Sequence, residues 1–240
     1  MLDDYRYSHM AKGKGQNYDN SFRKYSYRNI LWSLEKKILE NILRDNFSNK
    51  KVNYLDFACG TGRVISHLCD KVGNATGVDI SNEMLKVARI NVKNAVLIEA
   101  DITNKDVLGE TKFDLITAFR FFPNAQSELR EEAIKLLAKH LKNDGVLVLN
   151  NHRNASSLYF RVLSLLNKSN EGEGMTEEDI HKLLDSACLK IKKKYGIGIL
   201  PIVDNYSKVP KFIVLYFEKI FMNLGLFKKL CQNNIYVCSK

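Results

Sequence analysis

The sequence predicts an α/β protein built on a doubly wound, mainly parallel sheet of seven strands. Short apolar segments alternate with amphipathic helical segments through the middle of the chain. Strands spaced this way need crossover connections, which make neighbours parallel. Three of the apolar segments end in a carboxylate, at Asp56, Asp79 and Asp101. Open sheets of this kind bind ligands outside the carboxyl ends of their strands. Two further apolar segments come late in the chain and supply a final strand pair.

Each element has its own signal. Ser26 to Asn46 reads as one long helix, with Ile30, Leu31, Leu34, Ile38, Ile42 and Leu43 along one face. Val52 to Phe57 reads as a buried strand, halted by Gly60 and Gly62, and a helix follows over about Arg63 to Asp70. Ala75 to Asp79 is the second strand. Ser81 caps the next helix, with Glu83 in its first turn and Met84, Leu85, Val87 and Ala88 turned inward. Ala95 to Ala100 and Phe113 to Ala118 are the third and fourth strands. Ser127 to Leu141 is a helix with Leu129, Ala133, Leu136 and Leu137 on one side, and Gly145 to Leu149 is the fifth strand. Thr176 opens a helix with an acidic first turn, Glu177, Glu178 and Asp179. Leu189 to Ile199 and Asn234 to Ser239 are the last two strands.

Composition narrows the functional classes. The chain has 37 Lys and Arg against 27 Asp and Glu, a net charge of +10. Residues 51–150 are balanced, with 13 of each sign, whereas both flanks are basic. Basic flanks suit nucleic acid, an anionic membrane or an anionic small molecule, and equally a solvated lysine-rich surface. The five Cys form no C-x-x-C pair and the five His are isolated. A reducing, cytoplasmic setting without a structural metal is expected. The N-terminal segment has no apolar core of the secretory kind, and no apolar run is long enough to span a bilayer.

The strand-end carboxylates carry most of the functional signal. Asp56 leads into Ala58-Cys59-Gly60-Thr61-Gly62, a turn of small residues that lets a ligand approach the backbone. Asp79 is placed to accept from both hydroxyls of a ribose. Asp101 is placed to accept an amino proton from a base. A nicotinamide dinucleotide needs G-x-G-x-x-G, and Ile65 stands where the third glycine belongs. Asp56 would also oppose its pyrophosphate. S-adenosyl-L-methionine has an ammonium, a sulfonium and a ribose diol but no phosphate, so the acidic triplet favours it. The competing account is that each Asp only caps the following helix.

Here the chain resembles a known family, the class I S-adenosylmethionine-dependent methyltransferases. The resemblance rests on Leu55 to Gly62, on Gly77-Val78-Asp79-Ile80-Ser81, on Glu99-Ala100-Asp101-Ile102, and on Phe113-Asp114-Leu115-Ile116. The first stretch departs from the family's D-x-G-x-G-x-G in having Ala58 for the first glycine. The resemblance implies a Rossmann-like methyltransferase fold with the last strand antiparallel. It implies that Asp56 and Gly60 take the methionine end, Asp79 the ribose, and Asp101 with Ile102 the adenine, with Ala58, Cys59, Gly62, Ile80 and Met84 also binding the cofactor. Phe119 would lie near the sulfonium. Residues 1–50 become a helical lid that brings Tyr18 and Arg23 to the cofactor. Residues 51–151 become the cofactor core, and 152–240 carry acceptor-side helices and the last strand pair, all within a single domain.

The acceptor is less defined. The D/N-P-P-Y/F tetrapeptide of DNA amino-methylating enzymes is absent after the fourth strand, which reads Ala118 to Asn124, so DNA is not expected. Arg120 can hold an anionic acceptor. His152, after the fifth strand, is the candidate general base, though it can equally be a surface His without a role. The tail resembles, loosely, small bacterial methyltransferases of polysaccharide and glycan assembly. The expectation is methyl transfer to a hydroxyl of a sugar, glycan precursor or phosphorylated metabolite. RNA or protein acceptors, or a non-catalytic partner subunit, are the alternatives. Pro210 to Leu230 is apolar but carries Lys211, Lys219, Lys228 and Lys229. Its apolar residues fall on nearly all sides, which favours burial between protein surfaces over a dimer face or an interfacial membrane helix.

Overall fold

A computed structural model describes residues 5–7, 10–11, 13–23, 27–47, 51–165, 174–202, 210–225 and 227–240. Seven strands form one sheet: β1 (Asn53–Phe57), β2 (Asn74–Asp79), β3 (Val96–Glu99), β4 (Phe113–Ala118), β5 (Leu141–Asn151), β6 (Lys190–Ile197) and β7 (Asn233–Ser239). Their order is β3-β2-β1-β4-β5-β7-β6, and β7 runs antiparallel to both its neighbours. The strand order reverses at β1, between β2 and β4, where an open sheet leaves a crevice.

The two-residue period of the strands sorts side chains between two layers. Tyr54, Leu115, Val148 and Val237 face a layer completed by α2 (Tyr27–Phe47). Leu55, Ile116, Leu149 and Tyr236 face the other, completed by α5 (Ser127–His140) and α7 (Glu177–Asp185). Helix α2 buries Ile30, Leu31, Leu34, Ile38 and Ile42 as its periodicity predicts. The Ser81 side chain caps α4 (Asn82–Asn91) by accepting from Met84 N. Thr176 and Asp179 form a reciprocal capping box on α7.

The structure corrects three expectations. The segment after Gly62 holds only a short α3 (Ile65–Leu68) followed by a 3-10 turn over Cys69–Lys71. The fifth strand starts at Leu141 rather than Gly145, because an irregularity between Phe113 and Leu115 lets β5 pair on both sides of it. Among the described residues, Pro210 to Leu230 is buried on one side rather than all round. It forms α8 (Lys211–Leu224), in which Val214 and Glu218 are buried while Phe212, Tyr216 and Phe217 are exposed.

The N-terminal helix α1 (Lys14–Arg23) lies on α4. Gly15 makes the approach possible: a Cβ there would collide with the Glu83 carbonyl. Gly13 N donates to Glu83 Oε2 at 3.0 Å. The side chain of Arg23, assigned to the lid, lies outside the described residues.

Candidate active site

A cavity of about 520 Å³ opens at the carboxyl ends of β1, β2 and β4, roofed by residues of the N-terminal segment. Asp56, Ala58, Cys59 and Gly60 line its floor, Asp79, Ile80 and Met84 one side, and Asp101 and Ile102 the far end. Tyr18, Phe119, Arg120 and His152 also line it. Of the residues assigned to the cofactor, Gly62 is placed elsewhere. It packs against Ala88 of α4 and Val92 just after that helix, where a Cβ would stand 2.7 Å from the Val92 Cγ2.

The turn after β1 is tightly specified. Ala58, Gly60 and Gly62 all have positive φ, of 53, 56 and 78°. Ala58 thus adopts, with a side chain, a conformation that glycine holds at no steric cost. The Asp56 carboxylate accepts from Thr117 Oγ1 at 2.6 Å and from Ile65 N at 3.1 Å. Burial pushes its pKa up to about 7, against these hydrogen bonds. Asp79 accepts from Gly60 N at 2.7 Å through one oxygen and from Ser81 N at 2.8 Å through the other. Burial raises its pKa as well. Each Asp79 oxygen has a second lone pair, which suits a diol. Gly60 has room for a Cβ, which would stand 3.5 Å from Met84 Cε, so its positive φ rather than space calls for glycine. These residues fit S-adenosyl-L-methionine.

Sequence reasoning missed several residues. Tyr5 and Arg6 line the cavity from the N-terminal segment. Arg6 Nε lies 2.9 Å from Asp101 Oδ2, and its Nη2 donates to Thr103 and to Glu132. Tyr5 stacks edge-on against Phe121, which packs in turn on Phe57. Phe121 and Phe122 are both buried.

Arg28, Arg63, Arg120 and Arg153 line the same cavity as His152. Arg120 has a φ of 60°, and its N–H donates to Asn150 Oδ1 at 2.7 Å. Burial drives the His152 pKa well below its usual value, and the charges of Arg120, Arg153, Arg63 and Arg28 add to the effect. His152 is therefore neutral at pH 7. Its Nδ1 is buried without a hydrogen-bond partner among the described residues.

Behind the arginines sits a buried carboxylate. Glu35 of α2 accepts from Arg63 Nη1 at 3.0 Å and from Asn233 Nδ2 at 2.6 Å. Asn150 Nδ2 donates to Asn233 Oδ1 at 3.1 Å, so α2, β5 and β7 meet in one network. The sequence carried a signal for it: Glu35 stands beside Leu34 on the apolar face of α2, where a charge needs a buried partner. Arg63 also lies over the Trp32 ring, 4.3 Å from its centre.

The family model for a methyltransferase domain matches residues 48–196, more than half the chain, and the chain belongs to that family. The family indicates S-adenosyl-L-methionine as the cofactor, and solved structures with this fold contain it or S-adenosylhomocysteine. Over 105 residues, 42% of this chain and 40% of the relative's length, it is 35% identical to a dTDP-3-amino-3,6-dideoxy-alpha-D-glucopyranose N,N-dimethyltransferase of Streptomyces fradiae. It is 26% identical to a malonyl-[acyl-carrier protein] O-methyltransferase of Priestia megaterium over 225 residues, 87% of this chain and 76% of that one. Among solved structures, a methyltransferase from Thermotoga maritima, titled a possible histamine N-methyltransferase, shares the fold with a TM-score of 0.63 and 16% identity, covering 94% of this chain and 95% of that one.

Proposed function

We propose that this protein transfers a methyl group from S-adenosyl-L-methionine to an anionic small-molecule acceptor, at a hydroxyl of a sugar, glycan precursor or phosphorylated metabolite. One observation carries this reading: a single cavity gathers the strand-end carboxylates together with His152 and four further guanidinium groups. Asp56, Asp79 and Asp101 stand at the cofactor end, and His152 stands neutral among Arg28, Arg63, Arg120 and Arg153. When bound, the cofactor supplies an electrophilic methyl on a sulfonium. The chain's residues do the rest. Asp79 orients the ribose, with Gly60 N and Ser81 N holding its carboxylate in place. The guanidinium groups draw in and align an acceptor bearing phosphate or carboxylate. His152 takes the proton that the hydroxyl gives up.

A second reading keeps the site and changes the atom. The 35% identity with an N,N-dimethyltransferase named for a dTDP amino sugar favours an amine on a sugar nucleotide. Such an acceptor is also anionic, and its ammonium must also lose a proton before methylation.

The test is S-adenosylhomocysteine formation with sugar phosphates, amino-sugar nucleotides and their uncharged counterparts, with mass spectrometry locating the methyl. Turnover confined to anionic acceptors is expected. Equal turnover of uncharged acceptors overturns the reading, and the methylated atom separates the two versions.

A further inference from the structure

Helix α8 has its polarity reversed for a helix packed on a core. Its only acid, Glu218, is buried and accepts from the N–H groups of Gly198, Ile199 and Leu200 and from Tyr27 Oη. This pins one side of the helix to the end of β6. The opposite side is apolar. Phe212 and Tyr216 are 72% and 64% exposed, and Phe217 is 45% exposed. Half-buried Ile213 and Ile220 complete the surface, because positions 212, 216 and 220, and 213 and 217, fall on one face. Lys219 is exposed beside it. Beyond the left-handed cap at Gly225, Phe227 and Lys229 are exposed too. From Pro210 to Lys240 the sequence contains no acid but the buried Glu218.

We propose that α8 docks this protein on an anionic membrane surface, with its aromatic face among the lipid headgroups and Lys219 and Lys229 against lipid phosphate. An aromatic outer face edged with lysine is the composition of a helix lying in the interface. At 14 residues α8 is too short to cross a bilayer. Charge selects the occupant. A second copy seated on this face would set lysine against lysine, with no exposed acid in the segment to offset the repulsion. Phosphatidylglycerol-type headgroups supply the missing negative charge. The Glu218 anchor keeps the apolar side turned outward. The inference does not depend on which acceptor the cavity takes.

The experiment floats the full chain with vesicles of phosphatidylcholine alone, or of phosphatidylcholine mixed with phosphatidylglycerol, at low and high salt. Size-exclusion chromatography with light scattering runs alongside. Binding to the anionic vesicles only, weakened by salt, is the expected result. Lys219→Gln with Lys229→Gln should weaken partitioning roughly thirtyfold. Phe212→Ser with Tyr216→Ser should abolish it. Both double variants should keep the wild-type circular dichroism and S-adenosylhomocysteine affinity. No flotation, or equal flotation with neutral vesicles, overturns the proposal. So does a dimer that the Phe212→Ser, Tyr216→Ser variant dissolves.

Discussion

Arg6 and Asp101 form an ion pair at 2.9 Å that ties the N-terminal segment to the far end of the cofactor cavity. Each partner is about a quarter exposed, so the pair itself contributes no more than about 1 kcal/mol. Its importance is positional, since Arg6 also reaches Thr103 and Glu132. Arg6→Ala should weaken S-adenosylhomocysteine binding by no more than about fivefold, mostly through faster dissociation. Stopped-flow displacement measures this. An unchanged dissociation rate would show that the segment does not retain the ligand. Hydrogen exchange with and without S-adenosylhomocysteine tests the wider expectation that the described part of residues 1–25 gains protection on binding.

Under the proposed function, Asp79 holds the cofactor ribose. Asp79→Ala should weaken cofactor binding by about 1.5–3 kcal/mol, the scale of hydrogen bonds to a charged group. Some of that loss will come from freeing Gly60 N and Ser81 N, which the carboxylate now holds. Calorimetry on a variant with unaltered circular dichroism checks it.

Buried Asp56 couples the site to pH. Its folded-state pKa is raised to about 7, so between the unfolded value near 4 and pH 7 the folded protein holds a proton that the unfolded chain has lost. Stability from this group is complete at low pH and declines as pH rises to about 7. Asp56→Asn can keep acceptance from Ile65 N and contact with Thr117 while removing the titration. Its stability relative to wild type should rise between pH 5 and 8, by on the order of 1 kcal/mol or more. Urea melts across that range decide the matter, and parallel curves would refute the assignment.

His152 has the opposite sign. With its pKa held below the usual 6.5, it remains a neutral base into mildly acidic solution. The acid limb of kcat should therefore fall below pH 6.5 and vanish in His152→Gln, leaving a slower, flatter profile. Because the unfolded chain protonates this His first, the same group makes stability fall as pH drops below about 6.5. A kcat limb unchanged by the substitution would remove His152 from the proton transfer.

Glu35 carries the largest stability prediction. Glu35→Ala leaves Arg63 and Asn233 without their buried acceptor and should cost about 3–5 kcal/mol. Glu35→Gln retains an acceptor and should cost less, about 1–2 kcal/mol. Denaturant melts of the two variants give the comparison.

The strand-end carboxylates were legible in the sequence because each sits at a change of hydrophobic period, where a strand gives way to a turn. For the same reason β4 was found at its true limits, Phe113–Ala118. The start of β5 was not legible, since pairing across an irregularity depends on the neighbouring strand rather than on Lys142 to Asp144 themselves. Arg28, Arg63 and Arg153 were missed because a helix, a turn and a loop far apart in sequence bring them to one cavity. The outward face of α8 was misjudged because apolar periodicity alone does not say which side a lone acid will hold down. Glu218 does that here, through the amides of residues 198–200.

The place of β7 between β5 and β6 has a consequence for synthesis. As the chain leaves the ribosome, β1 to β5 can assemble in parallel from contacts close in sequence, but β6 emerges with no neighbour to join. Until Asn233–Ser239 arrives, β5 has an open edge and the Glu35 carboxylate lacks Asn233. A nascent chain stalled before that point would expose two sticky borders at once, and it would be a substrate for chaperones and proteases before it could be an enzyme.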